Sequence, residues 1–301
     1  MRRATVHSTS LRAAAALAAA VLLAGPRPAA PAPDEAARGA QALADGARLE
    51  AAGDLRAAAA AFERAFAADP TAAHAGIDAA VLRERLGDEA GARALYVRVL
   101  ETSPAAAHAI RNLVRLALRA GDVAGAEREA RARIARGPDS AALHVALADV
   151  LLAAGRLDEA VEESRRALEL DERCVAALVN LAAAQQRKGR TELARTVLEA
   201  ARAIDDRDPA VWNRLGIVEL AEGRRAQALE AFASASALGA DYPEARANHG
   251  VLLADAGDFE AASVELEAAA RDAPRSAAVW LDLGNARRGA RRFDEAEAAY
   301  R

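Results

Sequence analysis

The sequence is short of the residues that usually carry chemistry. Cysteine occurs once, at Cys174, so neither an intramolecular disulfide nor a cysteine-ligated zinc site can form. Aromatic residues are 3% of the 301 positions, too few to build stacking platforms for single-stranded nucleic acid. Lys and Arg number 40 against 44 Asp and Glu, a net charge of -4. No global basic excess is available for a phosphate backbone, so nucleic acid is not an expected partner. The five histidines are His7, His74, His108, His144 and His249, and no two share the three- or four-residue spacing of a helical metal site. Glycine-rich phosphate loops, nucleophile elbows and paired catalytic carboxylates are missing too. Cys174 has no activating neighbour in sequence and reads as a small buried thiol. No catalytic residue, metal or cofactor is expected, and the chain is read as non-enzymatic.

What is present is apolar and helical. The chain is 53% hydrophobic and 28% charged, a composition that can bury a core. Its first residues differ from the rest. Arg2, Arg3 and Arg12 precede an uncharged run from Ala13 to Ala24, which Gly25 and Pro26 end. A bilayer-spanning helix needs about 20 apolar residues, so this shorter run matches the core of a secretory signal peptide over residues 1–25. Cleavage near Ala24–Gly25 or Ala36–Ala37 competes with a site after Ala32, where Pro33 would obstruct the peptidase. No cysteine follows the run, which excludes a lipoprotein anchor. Residues 26–38 read as an Ala/Pro-rich linker. The expected location is periplasmic or secreted. An uncleaved segment would instead anchor the chain in the inner membrane, facing the periplasm, and a disordered leader on a cytoplasmic protein is the remaining alternative.

From residue 39 onward the sequence repeats every 34 residues. Gly53 is followed in phase by Gly87, Gly121, Gly155, Gly189, Gly223 and Gly257, and only Arg291 breaks the series. Glycine is 19 of the 301 residues, so seven hits in one phase are not chance. Ala58 recurs as Ala92, Ala126, Ala160, Ala194, Ala228, Ala262 and Ala296. Pro70, Pro104, Pro138 and Pro274 share a third phase, which Glu172, Asp206 and Ala240 interrupt. Apolar residues at helical spacing, such as Leu143, Leu147 and Leu151, predict a first helix (A) over about fourteen residues of each unit. The glycine ends helix A in a left-handed conformation, Asp54, Asp88, Asp122 and Asp258 favour the start of the second helix (B), and proline stops it. The units run 39–72, 73–106, 107–140, 141–174, 175–208, 209–242 and 243–276, with a partial eighth over 277–301. The alanine-rich first unit is expected to be the least stable.

This pattern resembles the tetratricopeptide repeat. Trp212-x-x-Leu215-Gly216 and Trp280-x-x-Leu283-Gly284 carry that family's opening motif. Ala58/Phe62, Ala92/Tyr96, Ala228/Phe232 and Ala296/Tyr300 carry its small-aromatic pair, while Ala130, Ser164, Leu198 and Leu266 depart from it. The resemblance implies an all-α, right-handed superhelical solenoid of about eight helix-turn-helix repeats, the last incomplete. It also implies that positions 2, 5, 6, 9, 12 and 13 of helix A line a concave groove. Asn112, Asn180 and Asn248 stand at position 6, Asn213 at position 5 and Asn285 at position 9. A row of asparagines can grip an extended peptide backbone, and this one resembles the asparagine ladder of the repeat region of the protein O-GlcNAc transferase. Ala146, Arg214 and Asp282 interrupt it. His108, Arg111, Arg115 and Arg119 add a basic stripe, joined by Arg214, which favours acidic partners. The chaperone-binding carboxylate clamp of the family is absent.

The expected function is a protein-interaction scaffold that holds an extended peptide or protein surface in its groove. The residues assigned to partner binding are Arg111, Asn112, Arg115, Asn180, Asn213, Arg214, Asn248 and Asn285. The eighth unit stops within helix B, so a partner, a second copy of the chain or further sequence is expected to cover it. Two alternatives follow from that feature. The chain is the repeat arm of a larger polysaccharide-export, secretion or transferase protein, or it assembles as a homo-oligomer through its last helices.

Overall fold

A computed structural model describes residues 33–104, 106–136, 139–239 and 242–301. The expectations for residues 1–25, and for the linker as far as residue 32, lie outside the described residues. Among the described residues every regular element is a helix. The first repeat holds α1 (Pro33–Ala51) and α2 (Leu55–Ala68), the second α3 (Ala73–Arg85) and α4 (Glu89–Thr102), and the third α5 (Ala107–Arg119) and α6 (Val123–Arg136). The fourth holds α7 (Ala141–Ala153) and α8 (Leu157–Leu170), the fifth α9 (Val175–Arg187) and α10 (Thr191–Ile204), and the sixth α11 (Pro209–Ala221) and α12 (Arg225–Leu238). The seventh holds α13 (Pro243–Asp255) and α14 (Phe259–Asp272), and the eighth α15 (Ala277–Gly289) and α16 (Phe293–Tyr300). Helix A starts at the first residue of its unit everywhere except in the first. There α1 begins at Pro33, so the end of the segment expected to be a linker is helical.

The turn between helices A and B is the same in all eight repeats. Seven glycines, from Gly53 to Gly257, have φ between 73° and 88°. In each, the amide of the next residue reaches back over the last turn of helix A, as Asp54 N–H to the Leu49 carbonyl at 3.0 Å, while Gly53 N–H bonds Glu50 at 2.9 Å. This pair of bonds closes the orphan carbonyls at a helix C-terminus and requires a left-handed residue between them. Arg291 makes the same turn at φ 61°, the one non-glycine with positive φ among the described residues. Asp54, Asp88, Asp122 and Asp258 accept from the backbone N–H three residues on, at 2.8–3.1 Å, as expected of N-caps. In the other four repeats an arginine stands there. Arg156 and Arg292 use that place to join the following helix to the preceding repeat, pairing with Glu127 at 2.6 Å and Glu260 at 3.5 Å.

Helix B ends at the thirtieth residue of each complete repeat. Where proline is missing just beyond, Asp171 and Asp205 turn the chain by accepting the N–H of Arg173 and Arg207 at 3.0 and 2.9 Å. The repeated alanine of helix B is 3% exposed or less in all eight repeats, consistent with close helix crossing. Trp212 and Trp280 fasten one repeat to the one before it, each indole N–H donating to a carbonyl, of Asp206 at 2.6 Å and Pro274 at 2.9 Å.

The chain divides into two compact units, one reaching Ala109 and the other running from Ile110 to Arg301. In the first, α1 to α4 pack in sequence. Its core is not alanine alone, because Phe62, Phe66 and Tyr96 are all buried. In the second, helices pack in sequence from α6 to α16, and α7, α9, α11, α13 and α15 also pack side by side. From α7 to α15 the A helices thus form a continuous layer, and apolar clusters run from each repeat into the next, as from Val179 and Leu198 to Val211 and Leu215.

Candidate partner-binding face

Every residue assigned to partner binding lies in the unit from Ile110 to Arg301, on its A helices. The helical period sets positions 5, 9 and 13 one above another, because residues four apart share a face. On α5 these are Arg111, Arg115 and Arg119; Arg111 is half-buried and the other two are exposed. Asn112 is half-buried beside them.

The asparagines form a row whose amides are largely engaged between repeats. Asn180 is buried, and its amide nitrogen donates to the Val145 carbonyl at 3.2 Å and to Asp149 Oδ1 at 2.7 Å, both on the preceding A helix. Asn248 donates to Asn213 Oδ1 at 2.8 Å, and the buried Asn213 donates in turn to the Tyr242 hydroxyl at 3.3 Å. Asn285 is exposed and accepts from the Tyr300 hydroxyl at 3.0 Å. Asn180, Asn213 and Asn248 therefore fix the spacing of neighbouring A helices, each keeping only part of its bonding capacity for a ligand.

The arginines are differently placed. Arg214 is half-buried on α11; its Nε is sealed from solvent without a hydrogen-bond partner, and burial lowers the stability of its charge. Charges near it are those of Asp149 and Arg187, with the Tyr242 hydroxyl. Arg187 at position 13 of α9 donates to the Leu152 carbonyl at the end of α7. Across repeats three to six, positions 5, 6, 9 and 13 carry five arginines (Arg111, Arg115, Arg119, Arg187 and Arg214) and a single acid, Asp149. Three of these arginines stand on α5 and one each on α9 and α11, a local excess of positive charge in a chain of net charge -4. In repeats seven and eight the same positions carry two acids, Asp255 and Asp282, and expose Val251 and Leu281.

Asp149 is the residue that sequence reasoning missed. It is held by Asn180, and burial pushes its carboxyl up to about 6 against the opposing pull of that hydrogen bond, Arg111 and Arg214. A signal was available: His144 and Asp149 are the only ionisable side chains in an otherwise apolar α7. His144 is buried between two carboxylates, Glu163 at 2.6 Å on Nδ1 and Asp139 at 2.7 Å on Nε2, and ties the start of repeat four to α8. The Cys174 thiol is half-buried, and burial pushes it up, away from reactivity. Among the described residues no group of three metal-ligating side chains comes together, and no helix is long and apolar enough to cross a membrane.

Comparison with known sequences agrees with the geometry. Sequence models of the tetratricopeptide repeat match residues 151–215 and, in a second version, residues 43–107, 111–173, 213–265 and 247–301. No curated protein sequence matches this chain. Among solved structures, the fold is similar to that of a tetratricopeptide repeat protein from Parabacteroides merdae, with a TM-score of 0.56, 13% identity, and coverage of 83% of this chain and 98% of that one. It is similar as well to the structure of the APC/C hetero-tetramer Cut9-Hcn1, with a TM-score of 0.57, 16% identity, and coverage of 96% and 70%. At these identities the likeness speaks to fold alone.

Proposed function

Because the chain belongs to the tetratricopeptide repeat family, whose arrays are in general protein-interaction scaffolds, we propose that its A-helix layer binds an extended acidic segment of a partner protein. The observation that carries this reading is the charge at the register positions of the A helices in repeats three to six, five arginines against Asp149. An arginine fork matches a carboxylate in two parallel hydrogen bonds, so such a layer prefers Asp- and Glu-rich chains over neutral ones. Exposed Val251 and Leu281 extend the preference to apolar residues flanking the acidic stretch. The asparagine row supports the same surface by setting the distance between rungs. The N-terminal pattern of arginines, apolar run and Gly25-Pro26 favours a periplasmic setting for this scaffold.

The test is fluorescence anisotropy with an end-blocked, labelled hexaaspartate peptide. Arg111→Glu with Arg115→Glu is expected to weaken binding at least about tenfold and to flatten its salt dependence, since two charge-assisted contacts become repulsive. Binding that is unchanged in the double variant refutes the assignment of the acidic segment to this face.

A further inference from the structure

The A helices α3, α7, α9, α11, α13 and α15 each pack on the B helix before them, and the contact follows a register. Counted within the unit, position 24 of helix B gathers with positions 3 and 7 of the next A helix. Leu198 does so with Val211 and Leu215, and Leu266 with Val279 and Leu283. Position 17, the first residue of helix B, stands over position 13 of the next A helix. Arg225 bonds Asp255 there at 3.1 Å. One repeat on, the ring of Phe259 lies so close to Gly289 that a methyl group built on the glycine would come within 2.3 Å of it. Position 25 faces position 11, where Glu63 takes Arg83 at 2.5 Å and Glu267 takes Arg287 at 3.5 Å.

Repeat eight carries the same face uncovered. Phe293 at position 17 is 64% exposed. Tyr300 at position 24 is 45% exposed, whereas its counterparts in the seven other repeats are all buried. Leu281 at position 5 is 54% exposed, where Val145, Val179 and Asn213 are buried. Val145 gathers with Ala177 of the next A helix, so position 5 belongs to the covered face too. Tyr300 is held in place from within its repeat, its ring over Gly284 and its hydroxyl donating to Asn285 at 3.0 Å. Arg301 stands at position 25, a positive charge where Glu63 and Glu267 are negative.

Repeat one presents the opposite kind of face. Positions 3 and 10 are buried apolar residues in every repeat from the second, with Ala75 and Leu82, to the eighth, with Val279 and Ala286. In repeat one they are Gln41 and Arg48, both exposed, and Arg48 pairs with Asp45 at 3.3 Å. A second copy of the chain therefore has no first helix suited to stack on repeat eight, because that polar set would lose its water. Two copies joined through repeat eight would set Phe293 and Tyr300 against their like, where the stack sets the ring of Phe259 against a glycine.

We propose that the uncovered face of repeat eight docks one amphipathic α-helix of a partner protein, laid as an A helix lies on the repeat before it. The register specifies that helix. It carries apolar residues at i, i+4 and i+7 for positions 3, 7 and 10, a small residue at i+10 under Phe293, and an acid at i+8 beside Arg301. This surface is distinct from the basic positions of repeats three to six, and it selects its partner by apolar spacing first and by charge second.

The probe is an end-blocked, labelled peptide with the sequence of α11, residues 209–221. It has Val211, Leu215 and Val218 at the apolar places, Glu219 at the acidic one and Ala221 at the small one. Fluorescence anisotropy against the full chain is expected to show saturable binding. A control peptide with the sequence of residues 39–51 puts Gln41, Asp45 and Arg48 at the apolar places and should not bind. Phe293→Glu in the chain should weaken binding of the α11 peptide at least about tenfold, since one large apolar contact is lost. Glu219→Lys in the peptide should weaken it about threefold, as for an exposed ion pair. Phe293 is exposed, so the variant should fold, circular dichroism checks this, and the peptide variant tests the register without altering the chain. The proposal falls if the α11 peptide does not bind, if the control binds as well, or if Phe293→Glu leaves the affinity unchanged. Sedimentation velocity tests the second copy as occupant, and a dimer that Phe293→Glu dissociates overturns the proposal. None of these results touches the acidic-segment reading, which hexaaspartate tests on other residues.

Discussion

In repeat six, where α11 crosses α12, Gly216 lies under the ring of Phe232, and a methyl group built on Gly216 would come within 2.6 Å of the ring carbons. In repeat four the same two register positions hold Ala148 and Ser164, both fully buried, and Ser164 turns its hydroxyl back to the Ala160 carbonyl at 2.8 Å. The other repeats obey the same trade. Gly46 meets Phe62 and Gly284 meets Tyr300, whereas Val114 stands at the position opposite Ala130 and Ala182 at the position opposite Leu198. A large side chain on helix B goes with glycine or alanine on helix A, and a small one goes with alanine or valine. Volume is thus traded across the crossing in most repeats, while Ala148 with Ser164 leaves that of repeat four the most lightly filled. In repeat three Val114 makes up part of the volume that Ala130 gives up, and in repeat four no larger residue does so at this pair.

The sharpest way to break this comparison is to enlarge one side of a crossing that is already full. Gly216→Ala would gain about 1 kcal/mol of helix propensity on an exposed helix, but the clash with Phe232 should turn it into a loss of about 2 kcal/mol. Adding Phe232→Leu reproduces the Ala182/Leu198 pair of repeat five, so the double variant should lose less than the sum of the two single ones. Guanidinium titration of the full cycle, read at the same helical signal, measures the coupling, and strict additivity would show that the two positions do not share volume.

The lightly packed repeat four also carries Asp149, which separates it further from repeat six. Its folded-state carboxyl is raised to about 6 from an ordinary 3.8, so the folded chain binds this proton more readily than the unfolded one between those values. Its contribution to stability is accordingly lost as pH rises from about 4 to about 6, and stays lost above that. Asp149→Asn should be more stable than the unaltered chain by about 2 kcal/mol at neutral pH, with the difference closing below about pH 4. Chemical denaturation across this range checks the sign, and a difference that grows toward acid pH contradicts it.

The smallest expected effect lies in the turns, where seven repeats use glycine and the eighth uses Arg291 at φ 61°. Arg291→Gly removes the left-handed strain of a side-chain-bearing residue but adds freedom to the unfolded chain, and the net should be a gain of about 0.5–1 kcal/mol. Hydrogen exchange in α15 and α16 reads this locally, and faster exchange would be the contrary result.

Much of this architecture was legible from residues alone. A glycine every 34 residues, an alanine five residues on and aspartate beside the glycine each encode a local event, namely a left-handed turn, a close crossing and a helix cap. The site was legible only in part. Arg111, Arg115, Arg214 and the asparagines were assigned to positions expected to face inward, and Asn180 and Asn213 are bonded between repeats. Asp149 was invisible as a partner to Arg111 and Arg214 because the three belong to repeats three, four and six, and only stacking brings them into one field. The sequence by itself determined the number, length and capping of the helices, since those depend on interactions within a few residues of chain. The tertiary structure alone decided which polar side chains are spent on holding the repeats together and which charge is left uncompensated, because both depend on neighbours some 34 residues away in sequence.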